Sequence, residues 1–379
     1  MDGRVLWAAP ARGQAGTMST EIDALLTRAQ QEIDRGLLPS CQLAIARNGE
    51  IELFEAFGDA TTDTRYIVFS ATKAFVASLV WVLIGEGAID VSKRVVDYIP
   101  EFAPNGKDAI TVEQVMLHTS GFPHAPIGPP AMFTREGRVA RMVQWRLNWE
   151  PDSTYEYHPE SAHWVLAEII DRVTGGDYRD LLYERITRPA GISDRVLGTA
   201  TPVAPVVQVG EQATPDELEA ALGIRELPMS TVTPEGLIAL SQDDARPIGH
   251  PGGGGIMTAA DLVTFYQALL HNDAGIWKPD VLADATGRVR NTKPERWTGV
   301  PANRGLGVVI AGDDGKANLR GFGHTQSPGT FGHNGAGGQI AWADPESGIS
   351  FAYLTNGLDE HILRQGRRGI GLSSRAAIC

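Results

Sequence analysis

The sequence predicts an α/β (α+β) protein in which two sheet-forming segments flank a helical insertion. The first observation is a pair of short apolar runs separated by Asn48-Gly49, a dipeptide typical of a tight β-hairpin. The second is a stretch from Asp90 to about Pro228 with helical spacing and no convincing strand pair. The third is a return, from Gly252 onward, to apolar runs interrupted by glycine. We therefore predict a compact domain that is discontinuous in sequence, with a site at the seam between its parts.

The first sheet-forming segment is expected to begin with a helix. Thr20 is a suitable capping residue, and apolar residues follow it at helical spacing: Leu25, Leu26, Ala29 and Ile33. Strands are predicted at 41–46 and 51–57, on either side of the hairpin turn. The segment 70–84 then predicts a helix with an apolar face, ended by Gly85.

The remaining elements follow from the same patterns. Helices are predicted at 111–117, 135–148, 161–173 and 178–186. After Gly252 the sequence predicts a helix at 258–270, strands at 305–310, 338–342 and 349–354, and a late helix at 358–364 that leads into a polar tail. We divide the chain into three parts. Residues 1–19 form a disordered N-terminal segment, and residues 89–239 form a helical insertion domain. Residues 20–88 and 240–379 together form a discontinuous α/β sheet domain.

Composition and charge exclude several function classes. The chain has 379 residues, a formal net charge of -13 and no compensating basic patch. Phosphate backbones and anionic membranes repel such a surface, so we expect no nucleic-acid partner. Cys41 and Cys379 lie far apart, which does not favour a disulfide, and no local histidine cluster accompanies them to make a metal site. No apolar run reaches the ~20 residues of a membrane span and no signal-peptide pattern is visible, so we expect no membrane insertion and a cytoplasmic location.

The first chemistry-bearing motif is Ser70-Ala71-Thr72-Lys73, at the start of a predicted helix. Residues three apart share a helix face, so the serine hydroxyl and the lysine amine can come within hydrogen-bond reach. A serine needs a base to take its proton, and a lysine can serve if burial lowers its pKa. A Ser-x-x-Lys pattern also arises by accident, but a lysine within so apolar a stretch favours a catalytic role.

Two further motifs are weaker when taken alone. Tyr155 and Tyr157 lie in a predicted loop before a helix, where a tyrosine beside a cation can shuttle a proton; the alternative is a packed or exposed aromatic residue. The segment 329–338 crowds glycines beside a strand, which suits a place where a ligand approaches the backbone. Its alternative is an ordinary glycine-rich hairpin.

Taken in order, these motifs resemble the serine β-lactamase and penicillin-binding protein superfamily, most closely its class C-like branch of family VIII carboxylesterases and DD-peptidases. That family has a Ser-x-x-Lys helix, a tyrosine loop and a triplet ending in glycine on a strand. Here the matching residues are Ser70 with Lys73, Tyr157, and His333-Asn334-Gly335. Intervening segments also resemble the family, at 110–112, 117–121, 253–258, 261–262 and 341–345 with Gly348. The likeness runs from about Glu21 to Asn356, and four or five loose motifs in this order are specific together.

The resemblance implies an antiparallel sheet with helices on both faces, an inserted all-helical domain, and Ser70 at the seam. It implies that Ser70 is the nucleophile, Lys73 its base partner and Tyr157 a second proton carrier; Tyr157 matches the family's spacing better than Tyr155. The residues expected to bind substrate and oxyanion are those of the strand edge: His333, Asn334, Gly335 and Ala336. The N–H groups of Ser70 and Ala336 would hold the oxyanion. The implied chemistry requires no cofactor and no metal.

Two departures from the family pattern favour an esterase. Pro159 stands where asparagine or serine is usual, so no side-chain amide is available there. His333 replaces the lysine common in β-lactamases, which removes a positive charge that would meet a β-lactam carboxylate. A DD-peptidase must be exported, and no export signal is visible. We therefore predict a serine hydrolase, most closely a carboxylesterase, with a small-molecule ester as its substrate.

Several alternatives stay open. The same site could serve an acyltransferase, a DD-peptidase, an amide hydrolase or a weak β-lactamase. A protein of another class, which binds an acyl compound without catalysis, is disfavoured by the joint presence of Ser70, Lys73 and Tyr157. The sequence leaves open the acyl and alcohol groups, the choice of Met1 or Met18 as the start, and the oligomeric state, and a homo-oligomer is compatible with it.

Overall fold

The computed structural model describes residues 20–227, 232–296 and 298–379. The segment 1–19, for which we predict disorder, lies outside the described residues. The helices are α1 (Thr20–Asp34), α2 (Thr72–Gly85), α3 (Val112–Met116), α4 (Arg135–Gln144), α5 (Ser161–Thr174), α6 (Tyr178–Leu182), α7 (Pro215–Leu222), α8 (Pro234–Leu240), α9 (Ala259–His271), α10 (Pro279–Gly287) and α11 (Ile362–Ala376). The strands are β1 (Ser40–Arg47), β2 (Glu50–Gly58), β3 (Tyr66–Ile67), β4 (Val207–Val209), β5 (Ile256–Met257), β6 (Val309–Ile310), β7 (Phe331–Gly332), β8 (Ile340–Ala343), β9 (Ile349–Thr355) and β10 (Gly357–Asp359).

The main sheet combines strands from the N-terminal and the C-terminal parts of the chain. Its strand order is β2-β1-β9-β8-β7-β6, and each neighbouring pair is antiparallel. The β1–β2 hairpin turns at Asn48 and Gly49, whose φ values of 53° and 80° are those a tight two-residue hairpin turn requires. Strand β1 then pairs with β9, so Leu43 lies opposite Tyr353. The predicted strand at 305–310 is shorter than expected, because Gly307 turns the backbone with a φ of 89°.

Helices cover both faces of this sheet. On one face, Leu43 and Trp342 pack with Leu25 of α1 and Leu372 of α11. On the other face, small residues such as Ala44 allow α9 to lie close to β1, β8 and β9. The period-2 alternation of a strand sends successive side chains to these two cores. The predicted fold class, an α/β protein with an antiparallel sheet flanked by helices, is confirmed.

Helix α2 lies at the centre of the larger core. Its residues from Thr72 to Leu83 are all buried, and it contacts α5, α6 and α10. A helix that is apolar all round is expected to be enclosed by protein, and this enclosure is what takes Lys73 out of water. Across the described part of the chain, no helix combines the length and apolar character needed to cross a lipid bilayer.

Two local predictions differ from the structure. The segment 89–239, predicted to be helical, includes strand β4, which pairs in parallel with β10. The predicted helix at 358–364 with a polar tail is wrong: residues 357–359 form β10, and the tail is the long helix α11. The sequence of α11 is rich in glycine, serine and arginine, which are weak indications of a helix. Packing of Leu372 and Ala376 onto the sheet stabilises it instead. The proposed division of the chain into domains stays a prediction.

Candidate active site

Ser70 lies in a short 3-10 turn, Phe69–Ala71, that joins β3 to α2. Phe69 has a φ of 46°, in the left-handed region that a bulky residue rarely adopts. The side chain of Thr72 holds this turn in place. Its Oγ1 donates to the Phe69 carbonyl at 2.6 Å and accepts from the Gly255 N–H at 2.9 Å. The turn therefore presents Ser70 at the wall of a cavity while its backbone is fixed from behind.

Lys73 is wholly buried beneath Ser70. Its Nζ donates to Ser70 Oγ at 3.2 Å and to the carbonyl oxygens of Pro159 and Gly252, each at 2.6 Å. Two effects lower the pKa of Lys73 from 10.5 to about 7: burial, which is the larger, and the positive charge of Arg304. A large fraction of Lys73 is therefore an uncharged amine at neutral pH.

Tyr157 lies in the loop before α5, with its ring centroid 5.1 Å from Lys73 Nζ. Its hydroxyl is buried, and no described residue meets it in full hydrogen-bond geometry, although Ser70 is close enough to lower the pKa of the phenol. Burial outweighs this effect and that of Arg304, and it raises the pKa of Tyr157 to about 12. The phenol therefore stays protonated at neutral pH.

The two candidate tyrosines differ in their contacts. The Tyr155 hydroxyl accepts from Arg304 Nε at 2.9 Å. The Arg304 guanidinium lies 5.7 Å from the Tyr155 ring centroid and 5.1 Å from that of Tyr157. Tyr155 thus holds the arginine that acts on Tyr157 and Lys73. Sequence reasoning missed Arg304, because no motif surrounds it and only the tertiary fold brings it here.

Three of the four predicted strand-edge residues do not reach the cavity. His333, Asn334 and Gly335 follow β7, and none is among the described residues that line the cavity. The Asn334 amide is committed to the backbone, donating at 2.6 Å and accepting at 3.1 Å. The His333 ring lies 5.9 Å from the Tyr157 ring, and burial lowers its pKa well below the usual range. In this structure the triplet supports the site, and His333 is a neutral imidazole behind Tyr157.

Ala336, the fourth predicted residue, does line the cavity together with Ser70. It is the first residue of the 3-10 turn Ala336–Gly338, and Ser70 is the second residue of its own turn. The first N–H groups of a helical turn have no acceptor within it, so these two are available to a ligand. Gly335 brings the turns together, since a Cβ there would lie 2.1 Å from the Val68 carbonyl oxygen.

The cavity beside Ser70 has a volume of about 430 Å³. Its wall is mainly apolar, with contributions from Phe69, Met132 and Leu237. The charged side chains on this wall, among the residues that the structure describes, are those of Glu160 and Asp244, and no lysine or arginine lines it. Glu160 follows the predicted tyrosine motif by three residues, but an acidic residue in a loop carries no signal in sequence that it faces a cavity.

Four more histidines are buried around this centre: His118, His158, His163 and His250. Burial is the main cause that lowers the pKa of each, to about 3 for His158 and His250, so the rings are neutral. His158 accepts from the Phe122 N–H at 3.1 Å, which ties the tyrosine loop to the segment after α3. Within residues 20–227, 232–296 and 298–379, no three His, Cys, Asp or Glu side chains are arranged to hold a metal ion.

Comparison with known proteins adds to this geometry. A family model described as Beta-lactamase matches residues 23–372. The chain is 30% identical over 318 residues to Esterase/beta-lactamase LipL of Mycobacterium tuberculosis (strain ATCC 25618 / H37Rv), covering 79% of this chain and 70% of that protein. A penicillin-binding protein homologue from Caulobacter crescentus is similar in structure, with a TM-score of 0.74, 25% identity, and coverage of 95% of this chain and 98% of that one. A family VIII carboxylesterase shares the fold at a TM-score of 0.73 and 24% identity, with 95% and 99% of the two chains covered.

Proposed function

This chain belongs to the β-lactamase family of serine hydrolases, and from that premise we propose that it cleaves carboxylic esters through an acyl-Ser70 intermediate. The observation that carries the proposal is the buried amine of Lys73, held 3.2 Å from Ser70 Oγ beside an apolar cavity. A nucleophile, a base of suitable pKa and a water-poor binding site are the requirements for acyl transfer to serine.

The two carbonyl contacts of Lys73 orient its lone pair. Carbonyl oxygens only accept hydrogen bonds, so Pro159 and Gly252 each retain an N–H of the amine after Lys73 loses a proton. The remaining position on Nζ, which contacts Ser70 Oγ, is then a lone pair that can accept the serine proton. Because the carbonyls favour this orientation in both protonation states, the amine needs no rotation between accepting a proton and donating it.

Acylation then follows from these positions. The Ser70 oxygen bonds to the ester carbonyl carbon as its proton passes to Lys73 Nζ. When the tetrahedral intermediate collapses, the bond to the alcohol oxygen breaks, and that oxygen takes a proton from Tyr157, which is resupplied from Lys73. In deacylation, water attacks the acyl group, gives up its proton along the same relay, and Ser70 leaves as a hydroxyl.

The backbone N–H groups of Ser70 and Ala336 are assigned to the oxyanion. Donors fixed in place before the reaction stabilise charge as it develops, and each is worth on the order of 3 kcal/mol. The position of Ser70 near the start of α2 adds the positive end of the helix dipole.

The cavity favours an ester over a β-lactam or a peptide carboxylate. No lysine or arginine among the described residues lines it, so a substrate carboxylate would find no cation there. His333, at the position of the family's lysine, is neutral because burial lowers its pKa. Pro159 offers no side-chain amide, and its carbonyl is committed to Lys73.

The test is the specificity constant, kcat/KM, for p-nitrophenyl esters of increasing acyl length, measured beside nitrocefin. We expect the protein to hydrolyse the esters, with the highest kcat/KM for the acyl chain that fills the apolar cavity. The kcat/KM for nitrocefin should be lower. Ser70→Ala should lower ester turnover by at least ~10³-fold. Ser78→Ala, which removes a buried hydroxyl from the helix that follows Ser70, is the matched control and should stay close to wild type.

Three outcomes would contradict the proposal. If kcat/KM for nitrocefin exceeded that for every ester, β-lactam hydrolysis would be the main activity of the chain. Absence of labelling of Ser70 by a fluorophosphonate probe, together with no turnover of any ester, would favour a binding protein. Transfer of the acyl group to an added alcohol in preference to water would instead identify an acyltransferase on the same site.

A further inference from the structure

We infer that Glu160 makes the cavity beside Ser70 selective for charge, so that esters with a positively charged acyl group are preferred to esters with a negatively charged one. This inference rests on the proposed ester hydrolysis and names the class of acyl group that the site accepts. It concerns a residue outside the proton relay, which acts on the substrate through its charge.

The first support is the composition of the cavity wall. The wall is largely apolar, and among the described residues its charged members are two carboxylates, Glu160 and Asp244, with no cationic side chain to offset them. Asp244 is exposed, so water and salt screen its charge. Glu160 is half-buried and lies on the same wall as Ser70. Its charge is therefore the one that a bound acyl group meets in a medium of low polarity.

The second support is that Glu160 has no ion-pair partner of its own. No described residue forms a hydrogen bond or an ion pair with its side-chain carboxylate. Burial is the main cause that raises the pKa of Glu160 above its ordinary value, and the positive charge of Lys73 opposes this effect. Lys73 cannot move to pair with it, since Ser70, Pro159 and Gly252 occupy all three positions around Nζ.

Together these observations leave a carboxylate free to meet a cation. A quaternary or protonated amine on the acyl group would gain the attraction that no protein side chain supplies. A carboxylate or sulfonate there would be repelled and would also lose its water. The acyl group is the part of the ester concerned, because it stays bound through acylation and deacylation whereas the alcohol leaves after the first step.

The experiment uses three p-nitrophenyl esters of matched size. Their acyl groups are a trimethylammonio-butanoyl group, its neutral tert-butyl isostere and a sulfobutanoyl group. The quaternary amine cannot attack its own ester, and spontaneous hydrolysis is subtracted. The assay is run near pH ~8, where Lys73, with its pKa of about 7, is mostly uncharged and does not repel the cation. The result is the ratio of kcat/KM for each charged ester to that for the neutral one.

We expect the wild-type protein to favour the cationic over the anionic ester, and Glu160→Gln to reduce that preference by about tenfold, which is a factor typical of one nearby charge. Removal of Glu160 also changes the pKa of Lys73, but this affects all three esters and cancels in the ratio. Glu156→Gln is the matched control, since Glu156 lies on the same loop, pairs with His124 at 2.9 Å and does not line the cavity. Glu160→Ala serves if the glutamine variant does not fold.

The outcomes separate the two proposals. The charge inference would be overturned if the preference stayed within twofold of wild type in both Glu160 variants, or if the wild-type protein preferred the anionic ester. In either case, turnover of the neutral ester would still support the proposed ester hydrolase. Failure to turn over any of the three esters would instead remove the proposed function, and the charge inference with it.

Discussion

Replacement of Arg304 by glutamine should move the acid limb of the pH–rate profile to higher pH. Burial and the charge of Arg304 together lower the pKa of Lys73 from 10.5 to about 7, which corresponds to about 5 kcal/mol against the ammonium form. Burial is the larger cause, so less than half of this effect belongs to Arg304. We therefore expect Arg304→Gln to raise the apparent pKa of the acid limb by about one pH unit.

The sign follows from which form of Lys73 is active. Only the uncharged amine can accept the proton of Ser70, so activity rises as pH passes upward through the pKa of Lys73. A pKa higher by one unit lowers the uncharged fraction by about fivefold at pH ~7 and by nearly tenfold at lower pH, and leaves the plateau well above the pKa nearly unchanged. The loss in Arg304→Gln should therefore be large at pH ~6.5 and small at pH ~9.5.

The assay is kcat/KM for a neutral ester across this pH range, with spontaneous hydrolysis subtracted. Arg304→Lys keeps a positive charge and should stay closer to the wild-type profile, whereas Arg288→Gln removes an exposed arginine and should not shift it. Equal losses for Arg304→Gln at low and high pH would refute the reasoning. Such a result would mean that Arg304 positions the tyrosine loop without acting on the pKa of Lys73.

Three further predictions concern the site and its support. Tyr157→Phe should lower kcat by roughly 10²–10⁴ with little change in Tm, and Tyr155→Phe should do far less; a larger loss in Tyr155→Phe would reverse the assignment. Thr72→Val deletes the hydroxyl that holds the nucleophile turn, so kcat should fall by about tenfold with KM nearly unchanged, and an unchanged kcat would show that the turn needs no such support. Arg368→Met leaves two buried carboxylates without their shared cation and should lower the free energy of unfolding by about 3–5 kcal/mol, measured by urea denaturation. The exposed neighbour Arg367→Met is its control and should change it by less than about 0.5 kcal/mol.

The sequence predicted most reliably what neighbouring residues decide. The hairpin at Asn48-Gly49 follows from the positive φ values that those two residues tolerate. The approach of Lys73 to Ser70 follows from helical spacing, because side chains three apart share a face wherever the helix lies. Helix α11 could not be predicted in this way, because contacts with the sheet stabilise it and its own composition is a weak indication.

The properties of the site were decided by the tertiary structure. The uncharged amine of Lys73 depends on the enclosure of α2 and on Arg304, and the orientation of the amine depends on the carbonyls of Pro159 and Gly252. These residues lie far from Lys73 in the chain. Ala336 lines the cavity, whereas the preceding residues 333–335 do not. This difference depends on how closely the two turns pack at Gly335. Residue types and spacing thus determined which groups could react. Burial and distant charges set their pKa values, since desolvation and Coulomb energy depend on what surrounds a group in space and not on its neighbours in sequence.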